Sequence, residues 1–496
     1  MSDALLEPTT RDVEELASRS VEALAGEIPL EGPGEEPTLD LEGIGGLFSP
    51  GRRALTSGLV MTITLVAFEA LAVAQVMPQV AAELGDLHLY GWVFSAFLLA
   101  SMLGIVVAGG LIDRGGLIRP MAAGLGLFSI GLVIGGLAPS MGVLVVGRAL
   151  QGFGAGAIPP IAYVAIGRAM PDALRPKMFA VLSTAWVLPG VIGPALAGAV
   201  AAATSWRVVF LGLLPLIALS AAIILPALRT VPARADDHVA DDPDGRNAFG
   251  RRLRFAVVAV AGAALLLAGL TSGVLVPGGP LVLAGLALLV PAFQRLTPVG
   301  TLRALPGLPA AVLLRGLLTF TFFCADAYVP YALQHWRGLG LSISGLALTG
   351  ATLSWTAGAW VQARWIGVQG VRRFVRAGFS TVVIGIAGFA TVLSPAVPVA
   401  VGIVAWTLAG FGMGLSYSPL SLTTLREAPV GGEGAATSGL QLSDSLGTAL
   451  GAGVGGALIA FGVGAGLEGW VGLAGAFAAG SAAGLVGIVL SGRLRG

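Results

Sequence analysis

The chain has 496 residues, of which 55% are hydrophobic and only 11% charged, against about 25% charged in an ordinary soluble domain. So few charges cannot cover a globule of this length in water, whereas lipid asks for none. A polytopic membrane protein is expected. The net charge of +1 balances 28 basic against 27 acidic residues and leaves no basic stripe for nucleic acid. One cysteine, Cys324, cannot form an intrachain disulfide, and three histidines at 88, 238 and 335 are too scattered for a metal cluster. The single lysine, Lys177, follows Pro-Asp-Ala-Leu-Arg-Pro instead of glycines, so there is no loop to hold ATP phosphates. No cofactor and no metal is expected.

Residues 1–53 are expected to form a disordered acidic cytoplasmic tail. Positions 1–51 hold twelve Asp and Glu against two Arg, and the Glu-, Pro- and Gly-rich composition cannot offset the entropy of ordering. A signal peptide is not expected, because basic residues followed by an apolar run do not occur near Met1. From Leu55 to residue 490, apolar runs recur, each of about 20 residues and long enough to cross about 30 Å of hydrocarbon; fourteen spans are counted. Six occupy 54–228, an N-terminal bundle. A cytoplasmic loop follows at 229–254, acidic from Asp236 to Asp244. Positions 255–294 hold forty residues without a charge, about 60 Å of helix at 1.5 Å per residue. With Pro277-Gly278-Gly279-Pro280 in the middle, that stretch predicts a two-helix insertion, 255–296, turning at the proline-glycine run. A second six-helix bundle then fills 297–492.

Arginine placement orients this arrangement. With both termini cytoplasmic, only Arg207 and Arg337 fall on the outer side, and Arg148 and Arg315 lie within spans. Shifting the count by one span in the middle would put half the arginines on the wrong side. Two six-helix halves about a central cavity is a transporter architecture.

Three acidic residues lie inside predicted spans: Glu69, Asp326 and Asp444. A carboxylate in hydrocarbon costs at least about 2.5 kcal/mol, so each is expected to face protein or a watery cavity and to be a proton site. A carboxyl withdrawn from water can trade its proton near neutrality; a structural hydrogen bond to a neighbouring helix is the competing role. Asp444 precedes Gly451 by seven residues, sharing the close-packed face of Gly447, Gly451 and Gly455. Asp326 lies eighteen residues into its span, about 27 Å along, where the outer interface could wet it. Arg148, early in the fourth span, needs a carboxylate or carbonyl partner, and Glu69 is the natural one; a clamp to backbone carbonyls is the alternative. Gly190, Pro194 and Gly198 recur every four residues in the fifth span, leaving a groove for close helix approach and a proline for a kink.

These residues resemble the major facilitator superfamily, and within it the fourteen-span drug:proton antiporters. After the second span, Gly109-Gly110-Leu111-Ile112-Asp113-Arg114-Gly115-Gly116 is similar to the loop signature G-x-L-a-D-r-x-G, with Leu117 and Ile118 where two basic residues usually follow. In the fourth, Leu144, Arg148, Gln151, Gly152, Gly154 and Ala155 match l-x-x-x-R-x-x-q-G-x-g-a. In the fifth, Pro189, Gly193, Pro194, Ala197 and Gly198 resemble g-x-x-x-G-P-x-x-G-G, with proline and alanine in two glycine places. In the first, Glu69 precedes Pro78 by nine residues, as the family's Asp precedes its Pro. The resemblance implies an all-α polytopic fold of two six-helix bundles plus the two-helix insertion. It also implies that Asp113 and Arg114 form a cytoplasmic gate latch, that Arg148 tunes the proton site, and that the Gly193-Pro194 helix bends.

The expected function is proton-coupled export of amphipathic drugs or other hydrophobic small molecules by alternating access, in the plasma (inner) membrane. Partners would be the small-molecule substrate, protons and the lipid bilayer, with no nucleic acid and no ATP, the chain acting as a monomer. A facilitator or importer of a metabolite and a lipid exporter are the rival transport readings. A membrane enzyme acting on lipids is disfavoured because no histidine lies centrally in a span to serve as a base.

Overall fold

A computed structural model describes residues 46–86, 89–232, 243–271, 275–339 and 341–495. The tail up to residue 45 and the acidic loop from Asp236 to Asp242 lie outside the described residues. With no water available inside a bilayer, each backbone amide must be satisfied within its own segment, and the described residues fold into helices with no strand among them. Fourteen long helices follow in order: α1 Arg53–Leu84, α2 Tyr90–Gly115, α3 Ile118–Gly136, α4 Met141–Ala169, α5 Arg175–Ala203, α6 Trp206–Leu228, α7 Pro243–Thr271, α8 Leu275–Leu296, α9 Leu308–Trp336, α10 Leu341–Gln369, α11 Val371–Leu393, α12 Val399–Glu427, α13 Glu433–Gly464 and α14 Gly469–Leu490. Thirteen are apolar enough to cross a membrane on composition alone. The other, α10, is long enough but carries Ser344, Thr349, Thr352, Ser354, Thr356 and Gln362.

The first six and last six helices repeat one packing scheme. On α4, Gly152 and Gly156 lie against the carbonyls of Phe97 and Ser101 on α2; on α12, Gly410 and Gly414 lie against those of Ala351 and Trp355 on α10. A side chain at any of the four would collide with backbone, so close helix contact is bought with glycine. The turns repeat as well: Gly116 after α2 and Gly370 after α10 have φ of 77° and 76°, a left-handed conformation that glycine adopts without penalty and that ends one helix so the next can return.

Two large apolar cores follow, one built mainly from α1–α6 and one from α9–α14. A third joins α2, α7, α8 and α13.

Two expectations are corrected. The hairpin does not turn at Pro277-Gly278-Gly279-Pro280: α7 ends at Thr271, α8 starts at Leu275, and the whole run lies in the first two turns of α8. Pro277 is the third residue of α8, where its missing N–H would lack a partner anyway, while Pro280 lies inside the helix. α5 is also interrupted where no break was expected, at Ala185 and Trp186 between its two helical segments, while the helix runs unbroken through Pro194. Pro189 explains it. That residue can neither donate to the carbonyl four residues earlier nor pack against it, and the Ala185 carbonyl accepts the Thr64 hydroxyl of α1 at 3.2 Å.

Candidate functional site: two buried charge clusters and a latch

Glu69 lies in the middle of α1 and is 0% exposed. Facing it on α4, Arg148 and Gln151 are three residues apart and so share a helix face. Arg148 Nη1 donates to Glu69 Oε1 and, at 2.9 Å, to Gln151 Oε1. Its Nε donates to the Val93 carbonyl of α2 at 3.3 Å, and its guanidinium carbon stands 4.3 Å from the centre of the Phe97 ring. Both alternatives for Arg148 are therefore realised, carboxylate and carbonyl at once. Glu69 Oε2 and Gln151 Nε2 have no hydrogen-bond partner among the described residues. A buried polar atom without a partner costs about 1–3 kcal/mol, and its persistence asks for a reason. One oxygen held by a cation and the other free for a proton is the chemistry of an exchangeable carboxyl.

The later helices hold a second cluster. Arg315 of α9, also 0% exposed, donates through Nη2 to Ser421 Oγ of α12 and lies 3.4 Å from the centre of the Tyr417 ring, one turn earlier on the same helix. Tyr417 donates its hydroxyl proton to Asp444 Oδ2 of α13 at 3.0 Å. Arg315 Nη1 stands 3.9 Å from Asp444 Oδ1, too far for a hydrogen bond, and that oxygen has no such partner among the described residues. The Asp444 side chain is 18% exposed, against 1% for that of Glu69, although its Oδ1 is itself covered. Thr319 of α9 donates to the Asp444 backbone carbonyl at 3.1 Å. The face bearing Asp444 packs as its glycines require: Gly447, Gly451 and Gly455 meet the carbonyls of Gly316, Phe320 and Cys324.

Sequence reasoning noted Arg315 inside a span but gave it no partner, and missed Tyr417 and Ser421. A guanidinium within a span was itself the signal, since it demands partners on neighbouring helices. Asp326 joins neither cluster; half-buried, it ends a helical segment of α9 beside the Trp406 indole.

The loop residues meet α13. Asp113 accepts the backbone N–H of Gly434 at 2.6 Å and of Ala435 at 2.8 Å, a carboxylate bound at the N-terminus of a helix. Gly109 leaves no room for a side chain against Ser438 and the Gly434 carbonyl. Arg168, at the end of α4, pairs with Glu433 at 2.9 Å. Arg114 lies outside these bonds, its guanidinium 4.7 Å from the centre of the Phe249 ring of α7.

The fifth-span glycines are loosely surrounded. A Cβ at Gly190, Gly193 or Gly198 would find nothing closer than Thr352 at 3.6 Å, Phe68 at 3.6 Å and Gln75 at 3.5 Å. A cleft of about 730 Å³, lined by residues including Trp336, Leu393, Glu468, Trp470 and Phe477, opens near the start of α14, away from both charge clusters.

Comparison with known proteins agrees with this architecture. The family model described as Major Facilitator Superfamily matches residues 55–452. Multidrug resistance protein 3 of Bacillus subtilis (strain 168) is 34% identical over 168 residues, 34% of this chain and 33% of that protein. Multidrug efflux pump SdrM of Staphylococcus aureus (strain N315) is 28% identical over 152 residues, 31% of this chain and 34% of that protein. The aligned part thus spans about a third of the length of these relatives. Among solved structures, the human organic anion transporter MFSD10 (TETRAN) shares the fold with a TM-score of 0.67, covering 89% of this chain and 99% of its own at 16% identity. The proton:xylose symporter XylE gives 0.63 over 88% and 94%, at 14% identity. With a family model matched from the first span into the thirteenth helix, and the same fold in solved structures, the chain is a polytopic membrane protein that belongs to the Major Facilitator Superfamily.

Proposed function

We propose that this protein is a proton-coupled exporter of amphipathic or cationic compounds, working as a monomer by alternating access, in the plasma membrane with both termini cytoplasmic. The observation that carries the reading is the sealed Glu69–Arg148 pair with one carboxylate oxygen unbonded. A proton taken up at Oε2 neutralises Glu69 and loosens its hold on Arg148, whose remaining bonds run to Gln151 and Val93. Deprotonation restores the pair. A carboxylate that keeps its charge attracts a cationic substrate and a neutral one does not, so proton and substrate exclude one another, and that exclusion is the coupling.

Asp444, more exposed and held by a tyrosine, belongs to the same economy of charge, with Arg315 as its counter-ion. Asp326 is a further proton site in this reading. Asp113, Arg114, Gly109 and Gly116 form the cytoplasmic latch, and the room around Gly190, Gly193, Pro194 and Gly198 lets α5 move against α1. The two bundles keep the limits drawn from the sequence, 54–228 and 297–492, while the insertion is carried by α7 and α8, whose first helix starts at Pro243, inside the stretch 229–254 read from the sequence as a loop. The efflux pumps among the relatives support the substrate class.

A proton crossing 100 mV releases about 2.3 kcal/mol, which at 1.4 kcal/mol per tenfold sustains a gradient of about fiftyfold for a neutral substrate. Purified protein in liposomes with an imposed pH gradient and a panel of dyes, lipids and metabolites tests this. Uphill movement that follows the pH gradient is expected for cationic dyes and is lost in Glu69→Gln, which stays folded. Undiminished gradient-driven transport in that variant refutes the role of Glu69, and transport indifferent to pH in the unmodified protein refutes antiport.

A further inference from the structure

The third apolar core contains residues of α2 and α13, which belong to different halves, and both helices of the insertion. Met102 and Ile105 of α2, Ala259 of α7, Phe293 of α8 and Leu446 of α13 meet in it. The insertion therefore does not stand beside one bundle. It lies across the line where the two bundles touch, at the helix pair that the Asp113 latch closes.

Polar and aromatic contacts extend that bridge to the latch itself. The Phe249 ring of α7 fills the space over Gly110, where any side chain would overlap its ring carbons, and receives the Arg114 guanidinium on its face. Three residues on, Arg252 donates to Ser438 Oγ of α13 at 3.4 Å, and its charge acts on Asp113. At the other foot of the hairpin, the segment following α8 meets Gly439 through Thr297 and Pro298. Each helix of the insertion thus contacts the seam within two turns of Gly434 and Ala435, whose N–H groups Asp113 holds.

We infer that the two-helix insertion is a strap over the α2–α13 seam, with Phe249 and Arg252 as the positioning residues that hold the Asp113 end shut. The inference rests on the alternating-access reading, because a strap has work to do only if the seam opens. Phe249 anchors the strap to α2 through Gly110 and Arg114. Arg252 anchors it to α13 and offsets the acidic pair formed where Asp113 approaches Glu433. Opening that end must break one anchor or the other, so the insertion adds to the energy gap between the two states without touching substrate.

The test is a distance measured between spin labels in protein reconstituted in nanodiscs. Labels go on Arg119→Cys at the start of α3 and Val430→Cys before α13, both exposed, in a Cys324→Ala background. The unmodified strap should give mainly the short distance. Phe249→Ala and Arg252→Gln should each move population to the long distance, and the double variant should lower the closed-to-open ratio about tenfold, which is about 1.4 kcal/mol. Charge gives an internal scale: Arg252→Lys should stay close to the unmodified distribution and Arg252→Glu should open furthest. Leu283→Ala, on the exposed face of α8, should change nothing. An unchanged distribution in folded double variant, or equal distributions for Arg252→Lys and Arg252→Glu, overturns the inference; if the double variant fails to fold, the single variants decide. The readout needs no proton gradient, so loss of antiport with a shifted distribution removes the coupling and keeps the strap, while pH-driven export with an unmoved distribution does the reverse.

Discussion

Glu69 and Asp444 are both carboxylates deep within helices, yet their surroundings suit them to different tasks. Glu69 has no exposure and an arginine bonded to one oxygen; Asp444 is partly exposed, has a tyrosine on one oxygen and stands at 3.9 Å from its arginine. In the state described, Glu69 is closed to solvent and Asp444 is partly exposed, so Asp444 is the carboxylate a substrate would meet first. Asp444→Asn is therefore expected to raise the half-saturating concentration of a cationic dye by about tenfold, roughly one charge-assisted contact of 1.4 kcal/mol, while dye movement still follows the pH gradient. Initial rates over a dye concentration series in liposomes separate the two parameters. The Glu69–Arg148 pair was legible in the sequence because an intramembrane charge requires a partner. The Arg315 cluster was not, since Tyr417 and Ser421 are ordinary residues in an apolar run and only the crossing of α9, α12 and α13 brings them to the guanidinium.

At the scale of the helix, identical residues in similar patterns do opposite things. Gly451 on α13 faces backbone, a Cβ there lying 2.6 Å from the Phe320 carbonyl, whereas a Cβ at Gly193 on α5 would meet side chains alone, the Phe68 ring at 3.6 Å and Leu71 at 4.0 Å. Gly451→Ala should destabilise by about 1–3 kcal/mol through overpacking. Gly193→Ala should leave stability equal or raised by up to about 1 kcal/mol, since alanine favours the helix. Thermal unfolding in detergent checks both. If the space beside Gly193 serves motion, its alanine variant should also transport more slowly despite that stability. Sequence spacing could show both stripes but not which one was filled, because filling depends on the partner helix. The unexpected breaks have local causes that spacing did reveal in part: Pro189 frees the Ala185 carbonyl, and the proline-glycine run of α8 is compatible with a helix start as well as with a turn.

Across the whole molecule, the bonds joining early to late helices gather toward one end. Asp113 to Gly434 and Ala435, and Arg168 to Glu433, lie there, and Thr184 of α5 accepts the Trp360 indole of α10 further in. Asp113→Ala removes two hydrogen bonds at a helix N-terminus. The loss of a single cap costs about 0.5–2 kcal/mol, so the closed-to-open ratio should fall about tenfold. Leu440→Cys, buried on α13, should then react with a water-soluble thiol reagent about tenfold faster in a Cys324→Ala background; an unchanged rate would show that Asp113 does not hold this end closed. The helical, doubled architecture was legible from run length and charge placement, since lipid leaves the chain few alternatives. Which seam the insertion would cover was not, because its forty uncharged residues look alike on every face and only three-dimensional packing gives them neighbours.

The polarity of α10 reaches beyond the finished transporter. Its hydroxyl-bearing stretch meets α5 through Thr356 and Trp360, an attachment that does not exist while the nascent chain is still emerging. A segment this weakly apolar gains little by entering lipid alone, so its retention in the bilayer during biogenesis depends on the company of helices already inserted, and the order of synthesis, with α5 made well before it, supplies that company in time.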